Sequence, residues 1–299
     1  MIAAVLWASS GTAGKALFQG GITPFDLVQI RVTFGSLILA GAFGLFARPL
    51  FSIRLRDIGY FAVLGGVAMA LVQITYFYTI SKIQVMAAIL LQYLAPVLVA
   101  FFSMCFWHEQ VKTYKIVALI GAIAGCYLAV GGYDFQLLQM NRIGILVGLA
   151  SGACFAAYAL VGEWAMHRYS PWTVVFYAFV FASVTWNLVH PPFKFLHAAY
   201  DWTEWAGLLY IVVMGTILPF GLYFVGANYI RSTRAMIAAT LEPIAAGFMA
   251  YLALGEKLQP LQMVGAALVI GAIILLQIER ELDERSPALI RKGATKAEK

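Results

Sequence analysis

The sequence predicts an all-α membrane protein, with ten transmembrane helices built as two inverted five-helix repeats around a central cavity and both termini cytoplasmic. Three observations carry that expectation. The chain is 62% hydrophobic, its mean hydropathy is +0.84 and only 11% of it is charged, where a soluble domain carries roughly a quarter charged residues. Its apolar letters gather into ten runs, each long enough to cross about 30 Å of hydrocarbon. One stretch, Tyr76 to Glu109, recurs 147 positions later as Tyr223 to Glu256.

The recurrence organises the rest. At that offset the identities include Leu71/Leu218, Tyr76/Tyr223, Phe77/Phe224, Ile83/Ile230, Ala88/Ala235, Leu94/Leu241, Pro96/Pro243 and Glu109/Glu256. Apolar matches are cheap, but a Pro and a Glu thirteen apart in both copies are not. A fixed offset of half the chain means internal duplication. The expected units are a first repeat over 1–132, a second over 133–278, and a polar cytoplasmic tail over 279–299.

The spans fall near 1–20, 27–47, 57–80, 84–107, 112–131, 142–165, 171–191, 204–227, 231–253 and 259–278. The first lacks the basic leader and the A-x-A site of a signal peptide and carries Lys15 late, so it is expected to stay as a helix. Connections are short. With the N-terminus inside, the inner loops and tail hold fourteen of the twenty Lys and Arg residues. The outer loops hold Lys82, Arg142, Lys194 and Lys257, the bias expected of cytoplasmic termini. Five spans per half is odd, so the second copy enters from the opposite side. Inverted repeats of this kind recur in alternating-access transporters, where exchanging the conformations of the halves turns the cavity from one side to the other.

The motifs resemble a known family. Leu6-Trp7-Ala8-Ser9-Ser10, the run from Leu94-Ala95-Pro96 to His108-Glu109, and the run from Leu241-Glu242-Pro243 to Gly255-Glu256-Lys257 look like the paired signatures of the ten-span drug/metabolite transporter superfamily. More narrowly they resemble its EamA-type exporters, including the aromatic amino-acid exporters. The resemblance covers residues 1 to about 278. It implies a basket of helices with spans five and ten at the periphery, an inner-membrane location in a bacterial-type cell, and export of amino acids or related metabolites. Ala95 in the first copy is Glu242 in the second, so the halves differ chemically.

Prolines and a carboxylate stand out inside the spans. Pro96, Pro219 and Pro243 each free the carbonyl four residues earlier, at Gln92, Gly215 and Ala239, and Pro96 and Pro243 form a symmetric pair of candidate hinges. Glu242 lies near the centre of the ninth span, where an unpaired carboxylate costs at least about 2.5–3.5 kcal/mol. Its face carries Ala235, Ala238, Ala239 and Ala246. Glu242 either holds a substrate ammonium, titrates with a co-transported proton, or packs as a hydrogen-bonded carboxyl. Trp7, Ser10, Gln73, Tyr76, Gln92, Tyr158, Trp186 and Tyr223 lie on aromatic and polar faces suited to a ligand with a flat apolar body and polar ends. The competing use of these aromatics is interfacial and lipid-facing packing.

Other charges read as structural. Lys15 and Arg31 are expected to snorkel to the outer interface, and Glu109 and Glu256 to accept backbone amides of the helix that follows each. Gly121-xxx-Gly125 and Gly144-xxx-Gly148-xxx-Gly152 offer surfaces for close helix approach.

Other classes of function find less support. His108-Glu109-Gln110-Val111-Lys112 begins like the H-E-x-x-H of a zinc protease, but Lys112 stands where the second ligand belongs. There is no G-x-S-x-G elbow. Cys105, Cys126 and Cys154 lie in apolar runs without CxxC spacing. The formal charge of +6 has no basic cluster interleaved with exposed aromatics, as nucleic-acid binding would need. The expectation is a carrier without cofactor or metal, acting on small molecules within the bilayer. The alternatives are a carrier for another metabolite or drug class, or a lipid scramblase.

Overall fold

The computed structural model describes residues 1–98, 101, 113–166, 168–193, 195, 200–229 and 238–282. Expectations resting on Cys105, His108, Glu109, Lys112, Arg231, Arg234, Ala235 and the tail beyond residue 282 lie outside these residues. All regular structure among the described residues is helical. Lipid offers no water to unpaired backbone groups, and a helix satisfies them within its own segment.

In chain order the elements are α1 (Ile2–Gln19), α2 (Pro24–Phe46), α3 (Ile58–Val63), α4 (Ala70–Lys82), α5 (Val85–Gln92), α6 (Thr113–Ala129) and α7 (Phe135–Met166). They continue as α8 (Pro171–Val189), α9 (Trp202–Val212), α10 (Leu218–Tyr229), α11 (Leu241–Leu254) and α12 (Pro260–Leu282). A π-helical turn, Leu64–Met69, joins α3 to α4, and a second, Val213–Ile217, joins α9 to α10. Among the described residues, six stretches are long and apolar enough to cross a membrane: Pro24–Phe46, Leu55–Lys82, Asn141–Tyr158, Pro171–Val189, Trp202–Tyr223 and Pro260–Gln277. Val85–Leu98, Thr113–Ala129 and Leu241–Leu254 are shorter apolar helices.

Local chemistry starts these helices where it should. Thr23 accepts the amide of Asp26 at 3.2 Å, and Pro24 occupies the first turn of α2, where its missing amide costs nothing. Pro171 starts α8 in the same way. Asp201 and Glu204 form a reciprocal capping box at the start of α9. The starts of α2 and α8 are 147 residues apart. α2 packs on α8, and α6 packs on α12.

The core gathers around α1 and α5. α1 packs against α4, α9, α10, α11 and the second π-helical turn. α5 is buried at seven of its eight positions, from Val85 to Gln92, as an apolar helix inside a bundle must be. At the margin, α6 and α12 expose Ile116, Val117, Ile120 and Ile123 on one helix and Met263, Val264 and Leu268 on the other. Their mutual face is tight. A Cβ on Gly265 would lie 2.5 Å from the Gly125 carbonyl oxygen, and one on Gly125 would lie 2.7 Å from that of Gly265.

Gly265→Ala is therefore expected to force α6 and α12 apart and to cost about 1–3 kcal/mol, the usual range for overpacking. Gly271→Ala, whose new methyl meets nothing within 4 Å, should leave the thermal transition in detergent unchanged or raise it slightly. Equal transitions for the two variants would contradict the close approach.

Candidate functional site

Two interrupted helices make the site. α5 ends at Gln92, Tyr93 turns with φ −68° and ψ −3°, and the helix resumes toward Leu98. Thr240, 147 residues later, turns with φ −64° and ψ −7° just before α11. These interruptions stand three residues ahead of Pro96 and Pro243. The break also puts Glu242 in the first turn of α11, where the positive end of the helix dipole favours a carboxylate.

Glu242 is 5% exposed and is held from two sides. The Tyr93 hydroxyl lies 2.8 Å from its Oε2, and the Tyr76 hydroxyl donates to Oε1 over a longer 3.4 Å. The Tyr93 hydroxyl also lies 2.9 Å from the Ala239 carbonyl, the group that Pro243 leaves without its helical partner. One phenol has one proton to donate. The Ala239 carbonyl and the Glu242 carboxyl therefore compete for the Tyr93 proton, and Tyr76 gives the carboxyl a second donor.

Arg31 completes the centre and corrects the expectation of a snorkelling anchor. It is 4% exposed, deep among α2, α4 and the second π-helical turn. Its Nη2 donates to the Gly215 carbonyl at 2.8 Å, and its Nε donates to the Thr216 hydroxyl. Gly215 is the carbonyl freed by Pro219. The guanidinium also lies 4.9 Å from the Phe77 ring centroid and acts electrostatically on Glu242. The third freed carbonyl, that of Gln92, faces α7, where a Cβ at Gly152 would lie 3.5 Å from it.

Two donors in this centre have no partner among the described residues: Ser10 Oγ, 2% exposed, and Gln73 Nε2, 3% exposed. Ser10 presses on Gly215 so closely that no Cβ would fit there. Gln73 stands one turn before Tyr76 on the same face of α4. Buried polar atoms without partners cost about 1–3 kcal/mol each, so these two donors, one beside Gly215 and one a turn from Tyr76, need an explanation.

Below the centre, toward the start of α1, a cavity of about 320 Å³ is lined by Trp7, Leu222, Tyr223, Gly226, Ala238 and Ala239 together with residues 1–4. Trp7 meets Tyr223 at 5.5 Å and Phe220 edge-on at 5.2 Å between ring centroids. Ala239 belongs to both places, since its carbonyl reaches Tyr93 and its side lines the cavity.

Of the residues singled out in the sequence, Ser10, Gln73, Tyr76 and Glu242 thus lie in the polar centre, and Trp7 and Tyr223 line the cavity. Gln92 adjoins Tyr93 and donates to Ser151 Oγ at 3.2 Å. Two do not join them. Tyr158 is buried in α7 beside Tyr60, and Trp186 donates to the Ala70 carbonyl at 3.4 Å on the α8 side of α4. Tyr93, Thr216 and Arg31 belong to the centre and were not anticipated. The signal for Arg31 was present, since an intramembrane charge is a functional candidate by default.

An apolar helical bundle with a polar, partly unsatisfied centre and a cavity below it is built as a membrane carrier. The chain matches the EamA-like transporter family over residues 1–131 and 142–278, and it belongs to that family, within the drug/metabolite transporter superfamily. It is 27% identical over 286 residues to the uncharacterized inner membrane transporter YicL of Salmonella typhimurium, covering 93% of this chain and 94% of that one. It is 25% identical over 285 residues to the threonine/homoserine exporter RhtA of Escherichia coli K12, covering 93% and 88%. A crystal structure with TM-score 0.62 and 17% identity, covering 95% of this chain and 96% of the other, shares the fold. The protein is a multi-pass transporter of the inner membrane that moves a small molecule across lipid.

Removing the guanidinium tests the centre directly. Arg31→Met should lower stability by about 1–3 kcal/mol, because the Gly215 carbonyl then has no donor. Arg31→Lys should recover only part of the loss, since an ammonium lacks the planar fork that reaches two acceptors. Thermal unfolding in detergent measures both, and an Arg31→Met protein as stable as the parent would contradict the role given to Arg31.

Proposed function

We propose that the chain exports amino acids and related small metabolites by alternating access between two inverted five-helix halves, with ten spans and both termini in the cytoplasm. The observation that carries the substrate class is the coexistence of opposite charges and orphan donors in one buried centre. Glu242 offers a partner to an ammonium group, and Ser10, Gln73 and Arg31 offer donors to a carboxylate. A zwitterion has both ends. The aromatic wall of Trp7 and Tyr223 suits a bulky apolar side chain, and a cavity of about 320 Å³ is at the small end of the range for ligand sites, fit for one amino acid and cramped for a nucleotide sugar. The threonine and homoserine named for the RhtA relative are members of the same chemical class.

Several features support the inverted arrangement over residues 1–132 and 133–278. The helix starts at Pro24 and Pro171 stand 147 residues apart, as do the turns at Tyr93 and Thr240. The two π-helical turns overlap at that same displacement. Pro96 and Pro243 would act as the hinges beside those turns. The carboxyl at Glu242, which has no counterpart at Ala95 in the first repeat, supports coupling. Glu242 would exchange its proton for a substrate ammonium, so that a proton enters as a substrate leaves.

The test is exchange of radiolabelled phenylalanine, tryptophan and threonine in vesicles reconstituted with the pure protein, with and without an imposed pH gradient. Saturable exchange that responds to the gradient is expected, reduced at least tenfold and made insensitive to the gradient by Glu242→Gln. No exchange of any amino acid by folded protein would overturn the substrate class, and unchanged pH response in Glu242→Gln would remove that residue from coupling.

A further inference from the structure

The far end of the bundle from the cavity is closed by polar contacts that the transport site does not use. α11 ends in a left-handed turn. Gly255 adopts φ 67° and ψ 18°, its amide bonds back to the Tyr251 carbonyl at 3.2 Å, and the Glu256 amide bonds to Ala250 at 3.3 Å. That conformation suits a residue without a Cβ. It swings Glu256 away from α12 and across the bundle, where its Oε2 accepts the Val85 amide at 2.9 Å, one of the unpaired donors at the start of α5. The sequence expectation that Glu256 serves the helix following it is thereby corrected.

The other oxygen, Oε1, lies 3.2 Å from Lys15 Nζ, and the two side chains are only 13% and 14% exposed. Lys15 also donates to the Ile83 carbonyl at 2.5 Å, so it is a bonded partner and not a snorkelling anchor. Around the pair, Gln84 donates to the Lys257 carbonyl at 3.0 Å and Gln262 donates to Gln84 Oε1 at 2.9 Å. One ion pair therefore ties three parts together: the end of α1, the connection between α4 and α5, and the connection between α11 and α12.

Position gives the pair its meaning. Lys15 stands eight residues beyond Trp7 on α1, about 12 Å further along the helix axis at 1.5 Å per residue. The cavity lies beside the start of α1, and the ion pair lies at its end. Both tied connections lead directly into the interrupted helices, α5 with its turn at Tyr93 and α11 with its turn at Thr240. Opening the Lys15 end requires those helices to part, and parting them must break the ion pair.

We propose that Lys15 and Glu256 form the gate that limits access to the transport site from the side opposite the cavity. The pair is broken when the site faces that side and re-formed when it faces the cavity. A half-buried pair bonded also to backbone is stronger than an exposed one and still lies close enough to water to open during each cycle. This proposal rests on the alternating-access reading, but its test uses no substrate, so its failure is distinct from failure of the exchange assay.

The test places a reporter thiol between the cavity and the gate. In a background with the three native cysteines replaced by alanine, Ser10→Cys is labelled with a charged, membrane-impermeant methanethiosulfonate, applied to intact cells and separately to inside-out vesicles. With Lys15 and Glu256 present, labelling from the Lys15 side should be slow. Glu256→Gln, which keeps an acceptor for Val85 and removes the charge, and Lys15→Met should each speed labelling from that side at least tenfold, and Lys15→Arg should not. Lys15→Met leaves the Val85 cap intact and carries the test if Glu256→Gln does not accumulate. Labelling rates from the Lys15 side that are unchanged in Lys15→Met, while the reporter still reacts from the cavity side, overturn the gate.

Discussion

A carbonyl freed by proline inside a membrane has nowhere to turn but to another side chain, and that constraint shapes the centre of this protein. Pro219 and Pro243 each remove a helical donor at a depth where lipid supplies none. The Gly215 carbonyl is met by Arg31, and the Ala239 carbonyl by Tyr93. Both donors come from distant parts of the chain, 184 and 146 residues away. Each repair draws the partner's own chemistry into the core: Arg31 brings a cation, and Tyr93 brings a phenol that also reaches Glu242. Defects in two helices thereby assemble a charged site in an apolar bundle.

The same constraint keeps the two charges of the centre apart. Arg31 is committed to Gly215 and Thr216, and Glu242 to Tyr93 and Tyr76, so the two charges are stabilised without collapsing onto one another. Ser10 and Gln73 are left with donors unused. On the proposed function, a substrate with acceptor groups would remove that cost on binding. On the proposed mechanism, the breaks beside Glu242 and Tyr93 would be where the surrounding helices bend, because their ladders are already interrupted there.

Much of this was legible along the chain. Composition and the ten apolar runs announce a membrane bundle, and the proline rule identifies the Gly215 and Ala239 carbonyls from sequence alone, because the clash and the lost amide are local. Glu242 stood out for the same reason: one carboxylate amid alanines is conspicuous in any apolar run. Contacts across the bundle were not legible. Arg31 near a predicted span edge looked like an interfacial residue, and nothing local reveals that the second π-helical turn offers it a carbonyl. Glu256 was rightly placed at a helix end, but the left-handed turn at Gly255 sends it to Val85 instead of to α12. Trp186 and Tyr158 show the opposite failure. Aromatics are so common in this chain that a shared helix face carries little information about which of them meet.

The central claim is that the cluster around Glu242 and Arg31 is where the transported molecule sits. Equilibrium binding of labelled amino acids to the detergent-solubilised protein addresses it most directly, comparing the parent with Glu242→Gln, Gln73→Leu and Trp186→Phe. The account predicts saturable binding that is lost in Glu242→Gln, weakened in Gln73→Leu and preserved in Trp186→Phe. Binding of equal strength in the parent and Glu242→Gln, with Trp186→Phe impaired, would contradict it and move the site to the other side of α4.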